Sequence, residues 1–184
     1  MNVRLSILLV VIFGLIGGSV YITQELSTKE RQPRPDWLYR IDIEDISRIS
    51  VTTTGASMSY VLDGDQWIIQ DGNDTPVFID KWAGTTLLLS GPRSDRLLAE
   101  EIDDPAKYGL EPPMTEVTVV DQHGFQLTFH LGTTTSDGSQ RYTRLVGSDR
   151  LFTVAAIWGD VVSKLATELP YTPTPIPTPV PREG

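Results

Sequence analysis

The chain has 184 residues, a formal net charge of -9 and no cysteine. Its 40% hydrophobic and 21% charged residues are typical of a globular protein, and its length predicts one domain with appendages. Without cysteine, the chain has no disulfide, thiolate metal site or cysteine nucleophile. The acidic balance argues against nucleic acid as a partner, because affinity for phosphate backbones depends on clustered Lys and Arg.

The first predicted element is an N-terminal membrane anchor. About eighteen residues without a charge run from Leu5 to Ile22, close to the length that an α-helix needs to cross the hydrocarbon core. The alternative is a cleaved signal peptide, but no small-x-small cleavage pattern follows the apolar run. We therefore predict a transmembrane anchor at residues 1–22, which makes the membrane a partner through residues 5–22, and a polar spacer at residues 23–36.

The flanking residues give conflicting indications of orientation. Lys29, Arg31 and Arg34 follow the apolar run and only Arg4 precedes it, so the positive-inside rule would place the domain in the cytoplasm. The short start of signal-anchor type and the Thr/Pro-rich extended tail at residues 171–184 are instead typical of exported proteins. We predict a single-pass protein of the cell membrane with an extracytoplasmic domain.

Residues 37–170 are predicted to form a β-rich α+β domain. Its sheet should be mainly antiparallel, because the connections between the predicted strands are too short for parallel crossovers. Two covering helices are expected. The order of elements also allows two loosely repeated strand-strand-strand-helix units.

The first half should contain three strands and a helix. The strands are rich in β-branched and aromatic residues and are separated by Gly55 and by the turn Asp63-Gly64-Asp65. We predict strands at Ile46 to Thr53, Ser57 to Leu62 and Gln66 to Gln70. The helix should begin at Asp80 as N-cap, end at Gly91-Pro92, and cover the sheet with Trp82, Thr86, Leu87 and Leu89.

The second half should begin with a strand at Arg96 to Glu100 and one helical turn. Asp104-Pro105 and Gly109 have the chemistry of a cap, a first helical residue and a stop. Two hairpins should follow, formed by Glu116 to Val120 with Phe125 to Leu131, and by Gln140 to Val146 with Arg150 to Val154. Phe125, Leu127, Phe129 and Leu131 should share one face. A closing amphipathic helix should carry Ile157, Val161, Val162 and Leu165 before Pro170 and help to cover the sheet.

Several of these residues resemble the bacterial domain-of-unknown-function family 4340 over residues 37–169. The most distinctive element is Tyr108-Gly109-Leu110-Glu111-Pro112-Pro113, followed by the strand Val117-Thr118-Val119, and Trp67-Ile68-Ile69 also fits. The resemblance implies a membrane-anchored protein, because members are typically single-pass. Some are encoded beside gliding-motility-type ABC transporter components, which implies an accessory role. The resemblance implies no activity and no catalytic residue.

The YGL-x-PP stretch supplies the candidate site. Gly109 can adopt the positive φ that stops a helix, and two prolines force extended backbone into the next strand, which favours an architectural role. The alternative is a recognition loop. Its candidate residues are Tyr108, Gly109, Leu110, Pro112 and Pro113.

Other candidates for chemistry lack a specific pattern. His123 falls in a predicted turn and His130 on the polar face of a strand, so both should be solvated surface. The acidic groups Asp63, Asp65, Asp71 and Asp74 lack the EF-hand spacing for calcium. The acidic run Glu100, Glu101, Asp103 and Asp104 would have to converge across a cleft to act in hydrolysis.

The aromatic residues are interpreted mainly as core. Trp67, Trp82 and Trp158 lie within apolar periodic runs, whereas Trp37 beside the spacer is freer. We therefore predict no catalytic, cofactor-binding or metal-binding residue and no cofactor.

The leading functional hypothesis is a membrane-tethered, non-enzymatic interaction module. It would serve as an accessory subunit of an envelope or transporter-like assembly, with a membrane protein as partner. The alternatives are a small-ligand or glycan-binding sensor and a carboxylate hydrolase.

Overall fold

The computed structural model describes residues 38–171. The predicted anchor, the spacer, Trp37 and the tail from residue 172 onward lie outside these residues. No helix within residues 38–171 has the length and apolar character needed to cross a bilayer.

Nine strands form one sheet, in which every neighbouring pair is antiparallel. They are β1 (Ile46–Thr53), β2 (Ala56–Asp63), β3 (Gln66–Ile69), β4 (Thr75–Pro76), β5 (Arg96–Ala99), β6 (Thr115–Asp121), β7 (Gln126–Thr134), β8 (Gln140–Leu145) and β9 (Leu151–Ala155). The spatial order is β4-β3-β2-β1-β6-β7-β8-β9-β5. The predicted antiparallel α+β class is confirmed.

Two meanders meet at the centre of the sheet. β1 pairs with β6 through the buried pairs Ile49 with Val119 and Val51 with Val117. From this pair, β2 to β4 extend toward one edge and β7 to β9 toward the other. Each meander is followed by helical residues, but each has four strands, β1 to β4 and β6 to β9, instead of the three expected, and β5 pairs with β9 at the far edge.

Three α-helices and two 3-10 helices complete the described residues. The α-helices are α1 (Ile79–Trp82), α2 (Thr85–Leu89) and α3 (Ala156–Lys164), and the 3-10 helices are Ile43–Asp45 and Pro105–Tyr108. Trp82, Leu89 and Val162 from the α-helices belong to the same buried cluster as Ile49, Tyr60 and Phe129 from the strands. We call the face of the sheet that they cover the inner face and the opposite one the outer face.

The prediction of one helix beginning at Asp80 is wrong. Phe78 occupies the N-cap position of α1 and Asp80 lies in its first turn. Gly84 then takes φ +84°, a left-handed conformation that interrupts the helix before α2 begins. Trp82 and Leu89 are buried as expected, but Leu87 is 62% exposed because the break changes the phase of the second piece.

The closing helix is confirmed, but its buried face is partly wrong. Val162 is buried and Leu165 packs against the core, whereas Ile157 is 76% and Val161 46% exposed. Tertiary contacts determine which face of α3 is buried. Trp158 Nε1 donates to the Leu88 carbonyl at 3.1 Å, and Gly159 lies against the side chain of Arg141.

Most predicted strands are confirmed with small shifts of their ends. The exception in side-chain direction is Phe125, which precedes β7 and is 59% exposed, whereas Phe129 and Leu131 are fully buried. Asp121 explains this, because its carboxylate accepts from the backbone N–H groups of His123 and Phe125 and holds both in the turn.

The predicted core tryptophans are confirmed. Trp82 is buried, and Trp67 and Trp158 pack against the same cluster. Two buried tyrosines also tie this cluster to the helical layer, since Tyr39 donates to the Leu89 carbonyl and Tyr60 to that of Leu165. Burial raises the pKa of both phenols well above the usual value.

Candidate functional site

The YGL-x-PP stretch, Tyr108–Pro113, is called the recognition segment below. It begins where the predicted helical turn ends. Asp104 caps that turn by accepting from the Ala106 N–H at 3.1 Å, Pro105 opens it, and Gly109 ends it with φ +69°. The predicted turn chemistry is therefore confirmed residue by residue.

The recognition segment packs on the outer face of the sheet. In β7, Phe129 and Leu131 are in the inner core, so the intervening His130 and the following Gly132 face outward. The Tyr108 carbonyl lies directly over Gly132, at a position that a Cβ atom would occupy. Thr133 Oγ1 also donates to this carbonyl at 3.2 Å. A glycine in β7 thus permits the close approach of the segment.

Two residues of the segment are anchors. Leu110 is fully buried, although it is not part of the inner core cluster. The Tyr108 ring packs against Tyr142 of β8 with 4.9 Å between ring centroids. The interpretation of Tyr108, Gly109 and Leu110 as architecture therefore agrees with their contacts.

The remaining part of the segment is presented to solvent. Pro113 is half-buried and forms an isolated bridge with Leu110, and the Glu111-Pro112 peptide bond is cis. Glu111, Pro112 and the next exposed residue, Met114, which is 43% exposed, form what we call the recognition surface. Of the predicted recognition residues, Pro112 is thus the one that lies on this surface.

A row of charged and polar side chains supports this surface from the strands. Glu116, His130 and Arg144 occupy opposing positions on β6, β7 and β8. His130 Nε2 lies 3.0 Å from Glu116 Oε2, and the Arg144 Nε donates to His130 Nδ1 at 3.5 Å. Since Nδ1 accepts, the proton lies on Nε2, which donates to the carboxylate.

Arg144 joins this row to the recognition segment. One terminal nitrogen, Nη2, donates to the Leu110 carbonyl at 3.4 Å and lies 3.7 Å from Glu111 Oε2. The guanidinium is one-fifth exposed, so it fixes the segment and also contributes charge at the surface.

The prediction that His130 is solvated is wrong, because its side chain is only 12% exposed and lies between Glu116 and Arg144. His123 is exposed in its turn, as predicted. Glu116, Arg144 and Met114 were not predicted from the sequence. The available signal was the hairpin register, because a three-residue loop at residues 122–124 places Glu116 directly opposite His130.

Three of the acidic groups weighed as metal or hydrolytic sites, Asp71, Glu100 and Asp104, have structural partners. Asp71 accepts from Asn73 N–H, Thr75 Oγ1 and the Tyr171 hydroxyl, and these hydrogen bonds, that of Asn73 first, lower its pKa. Glu100 pairs with Arg150 at 2.9 Å. Across residues 38–171, no group of three or more His, Asp or Glu side chains is arranged to hold a metal ion.

Together these features define a class: an antiparallel α+β domain with a structurally fixed segment on the outer face of its sheet. The chain belongs to the family described as Domain of unknown function (DUF4340), whose model matches residues 67–169. The match begins in β3 and includes the whole recognition segment and α3. That description names no catalytic activity. Comparisons with curated proteins and with solved structures gave no match.

Proposed function

We propose that this protein is a membrane-tethered, non-enzymatic interaction module that binds a membrane-protein partner through its recognition surface. The proposal rests on one observation, the contrast between the fixed inner side of the recognition segment and the exposed residues on its other side. Its inner side is fixed by Leu110, Tyr108 and Arg144, while Glu111, Pro112 and Met114 face solvent.

Fixing the segment favours binding because less conformational entropy is lost when the complex forms. The Tyr108 carbonyl against Gly132, the Tyr108–Tyr142 packing and the Arg144 hydrogen bond each restrict the backbone before a partner arrives. A surface held in one conformation can also select partners by shape, since a mismatched surface leaves buried polar groups unpaired.

The chemistry of the surface indicates the kind of partner. Met114 is a flexible apolar side chain that can fill a shallow pocket on another protein. Glu111 and Glu116, 68% and 47% exposed, flank Arg144, so the rim carries both signs of charge. An apolar centre with a polar, charged rim is typical of transient protein interfaces.

The apolar residues 5–22 support the tethering half of the proposal. An anchor confines the domain to the membrane surface and raises its effective concentration near a membrane partner. Some members of the family are encoded beside gliding-motility-type ABC transporter components, which favours an accessory role in an envelope or transporter-like assembly.

The test is affinity purification of the full chain from mild detergent, with two matched charge insertions. Met114→Glu places a carboxylate on the recognition surface, and Ile157→Glu places one at a still more exposed apolar residue on α3, across the sheet. We expect wild type and Ile157→Glu to retain a stoichiometric partner. Met114→Glu should lower its recovery by about tenfold or more, equivalent to about 1.4 kcal/mol.

Thermal unfolding of the three purified chains is the control for folding. Both substituted side chains are exposed, so both variants should unfold within a few degrees of wild type. The proposal is contradicted when a partner is recovered equally with all three chains, or when no stoichiometric partner accompanies wild type.

A further inference from the structure

A cavity of about 420 Å³ lies near the β4 edge of the sheet, far from the recognition surface. Its lining residues are Asp65, Gln66, Trp67, Val77 and Ile79. The walls are therefore apolar and aromatic on one side and polar at the turn between β2 and β3.

The aromatic wall of the cavity is held in place from behind. The Trp67 ring packs against Trp82 with 5.2 Å between ring centroids, and Trp82 packs against the fully buried Tyr60 at 4.6 Å. The Val77 N–H donates to the Trp67 carbonyl at 3.0 Å, which fixes the opposite wall. Ile79 is 67% exposed, so this side of the cavity opens to solvent.

The end of the described chain is attached to the same wall. The N–H of Phe78, which lies between Val77 and Ile79, donates to the Pro170 carbonyl at 2.7 Å. The Tyr171 hydroxyl then donates to Asp71 Oδ2 at 3.1 Å, just after β3. The tail at residues 172–184 therefore starts beside the cavity.

The tail has the composition of a polyproline ligand. Residues 173–181 read Pro-Thr-Pro-Ile-Pro-Thr-Pro-Val-Pro, with proline at every second position. At about 3.1 Å per residue in an extended polyproline helix, the residues after Tyr171 can span about 40 Å, which is ample to reach the cavity. Polyproline segments bind in grooves lined by aromatic side chains, because their backbone loses little entropy on binding.

We propose that the cavity beside Trp67 binds the chain's own Thr/Pro-rich tail as an extended polyproline segment. The bound tail covers the edge strand β4, which has only two residues, Thr75 and Pro76. Edge strands present unpaired backbone groups to other chains, so a covering segment protects the sheet from edge-to-edge association. The occupant follows from the point of attachment, because Pro170, just before the tail, is hydrogen-bonded to Phe78 of this wall.

The absence of cysteine in the sequence makes disulfide trapping a direct test. The full chain in mild detergent would carry Gln66→Cys, at the cavity rim, together with Ile176→Cys, in the tail. A matched control pairs Ile176→Cys with Lys107→Cys, an exposed residue of the 3-10 helix Pro105–Tyr108 beside β7. Under mild oxidation, we expect an intramolecular disulfide to form at least tenfold faster in the first pair, measured by mass after thiol labelling.

Two further variants test whether the cavity causes the proximity. Adding Ile79→Glu should slow the 66–176 disulfide toward the control rate, because a carboxylate enters the apolar wall, whereas adding Ile157→Glu should leave the rate unchanged. Unfolding of the reduced variants shows that each remains folded. Equal rates in the two cysteine pairs overturn the proposal. Disulfides found mainly between chains also overturn it, and identify the tail of a second copy as the occupant.

Discussion

The buried side chain of Trp82 makes both a favourable and an unfavourable contribution to the stability of the folded domain. Its ring lies between Tyr60 and Trp67, and the residue is 4% exposed. Within residues 38–171, however, its indole N–H has no hydrogen-bond partner. A buried donor left unpaired costs about 1–3 kcal/mol, so the packing of the ring must outweigh this cost.

Two substitutions at this position separate the contributions. Trp82→Phe keeps an aromatic ring and removes the unpaired donor, so we expect the free energy of unfolding to stay within about 1 kcal/mol of wild type. Trp82→Ala removes the ring and should lose about 3–5 kcal/mol. Denaturant unfolding measures both. A loss with Phe as large as the loss with Ala would mean that the indole N–H makes a stabilising hydrogen bond.

Asp137 gives the domain an acid-sensitive turn. Hydrogen bonds from Thr135 Oγ1 at 2.6 Å, and from the Ser139 N–H and hydroxyl, stabilise the carboxylate and lower its pKa to about 2. Because the pKa is lower in the folded state than the unfolded value near 4, this contribution is present above about pH 4. It is lost as the pH falls toward about 2.

Asp137→Ala tests this dependence. We expect the variant to unfold at a lower temperature than wild type at pH 6, because the three hydrogen bonds are absent. The difference between the two melting temperatures should shrink steadily between pH 4 and pH 2. A difference that stays constant over this range would show that the carboxylate charge does not contribute.

At the scale of elements, the contact between the recognition segment and β7 depends on Gly132. Gly132→Ala would place a methyl group on the Tyr108 carbonyl, a backbone atom that cannot move independently of the segment. We expect a loss of about 1–3 kcal/mol, as for overpacking of a close contact. The variant should also lose partner binding, because the recognition surface moves with the segment.

Gly159→Ala is the matched control. The three atoms nearest to a Cβ there belong to the Arg141 side chain and not to the backbone, with Cδ at 2.7 Å. The Arg141 side chain, which contacts Asp160 and Ser163, would have to shift, but alanine favours the helix. Its stability, measured in the same denaturant series, should stay within about 1 kcal/mol of wild type. Equal losses for the two variants would contradict the special role of Gly132.

The elements that the sequence predicted well are those encoded by local chemistry. The β1 strand has the predicted bounds, and the turn from Asp104 to Gly109 has the predicted cap, first residue and stop. Each depends on residues within a few positions of one another. Such interactions can be inferred from spacing alone.

The errors arise where distant residues decide the outcome. The phase of α3 depends on Leu88, 70 residues away, and the burial of His130 depends on Glu116 and Arg144 from neighbouring strands. Met114 lies on the recognition surface because the buried Leu110 holds the segment against the outer face of the sheet. A local pattern contains no information on which face a loop will cover.

At the scale of the whole molecule, the predicted orientation can be tested by a single cysteine. Ser136 is exposed in the turn between β7 and β8, and the natural sequence has no cysteine that would also be labelled. With an extracytoplasmic domain, Ser136→Cys should react with a membrane-impermeant maleimide in intact cells whose outer barrier is opened. Protection until lysis would place the domain in the cytoplasm.

We propose that this domain, although complete, acts only when it is held at the membrane. Within residues 38–171, strands and helices share one buried cluster, so residues 36–170 alone should be soluble and unfold cooperatively. Tethering can raise the apparent affinity for a membrane partner by about a hundredfold or more, so this fragment should not replace the full chain.

The most direct measurement is rescue of a strain that lacks the gene, by the free fragment and by the fragment fused to an unrelated single-pass helix. We predict that the free fragment folds but does not rescue, and that the fused fragment restores function. A Met114→Glu change in the fused fragment should abolish rescue again. Full rescue by the free fragment would contradict the account, because a diffusible protein would then suffice.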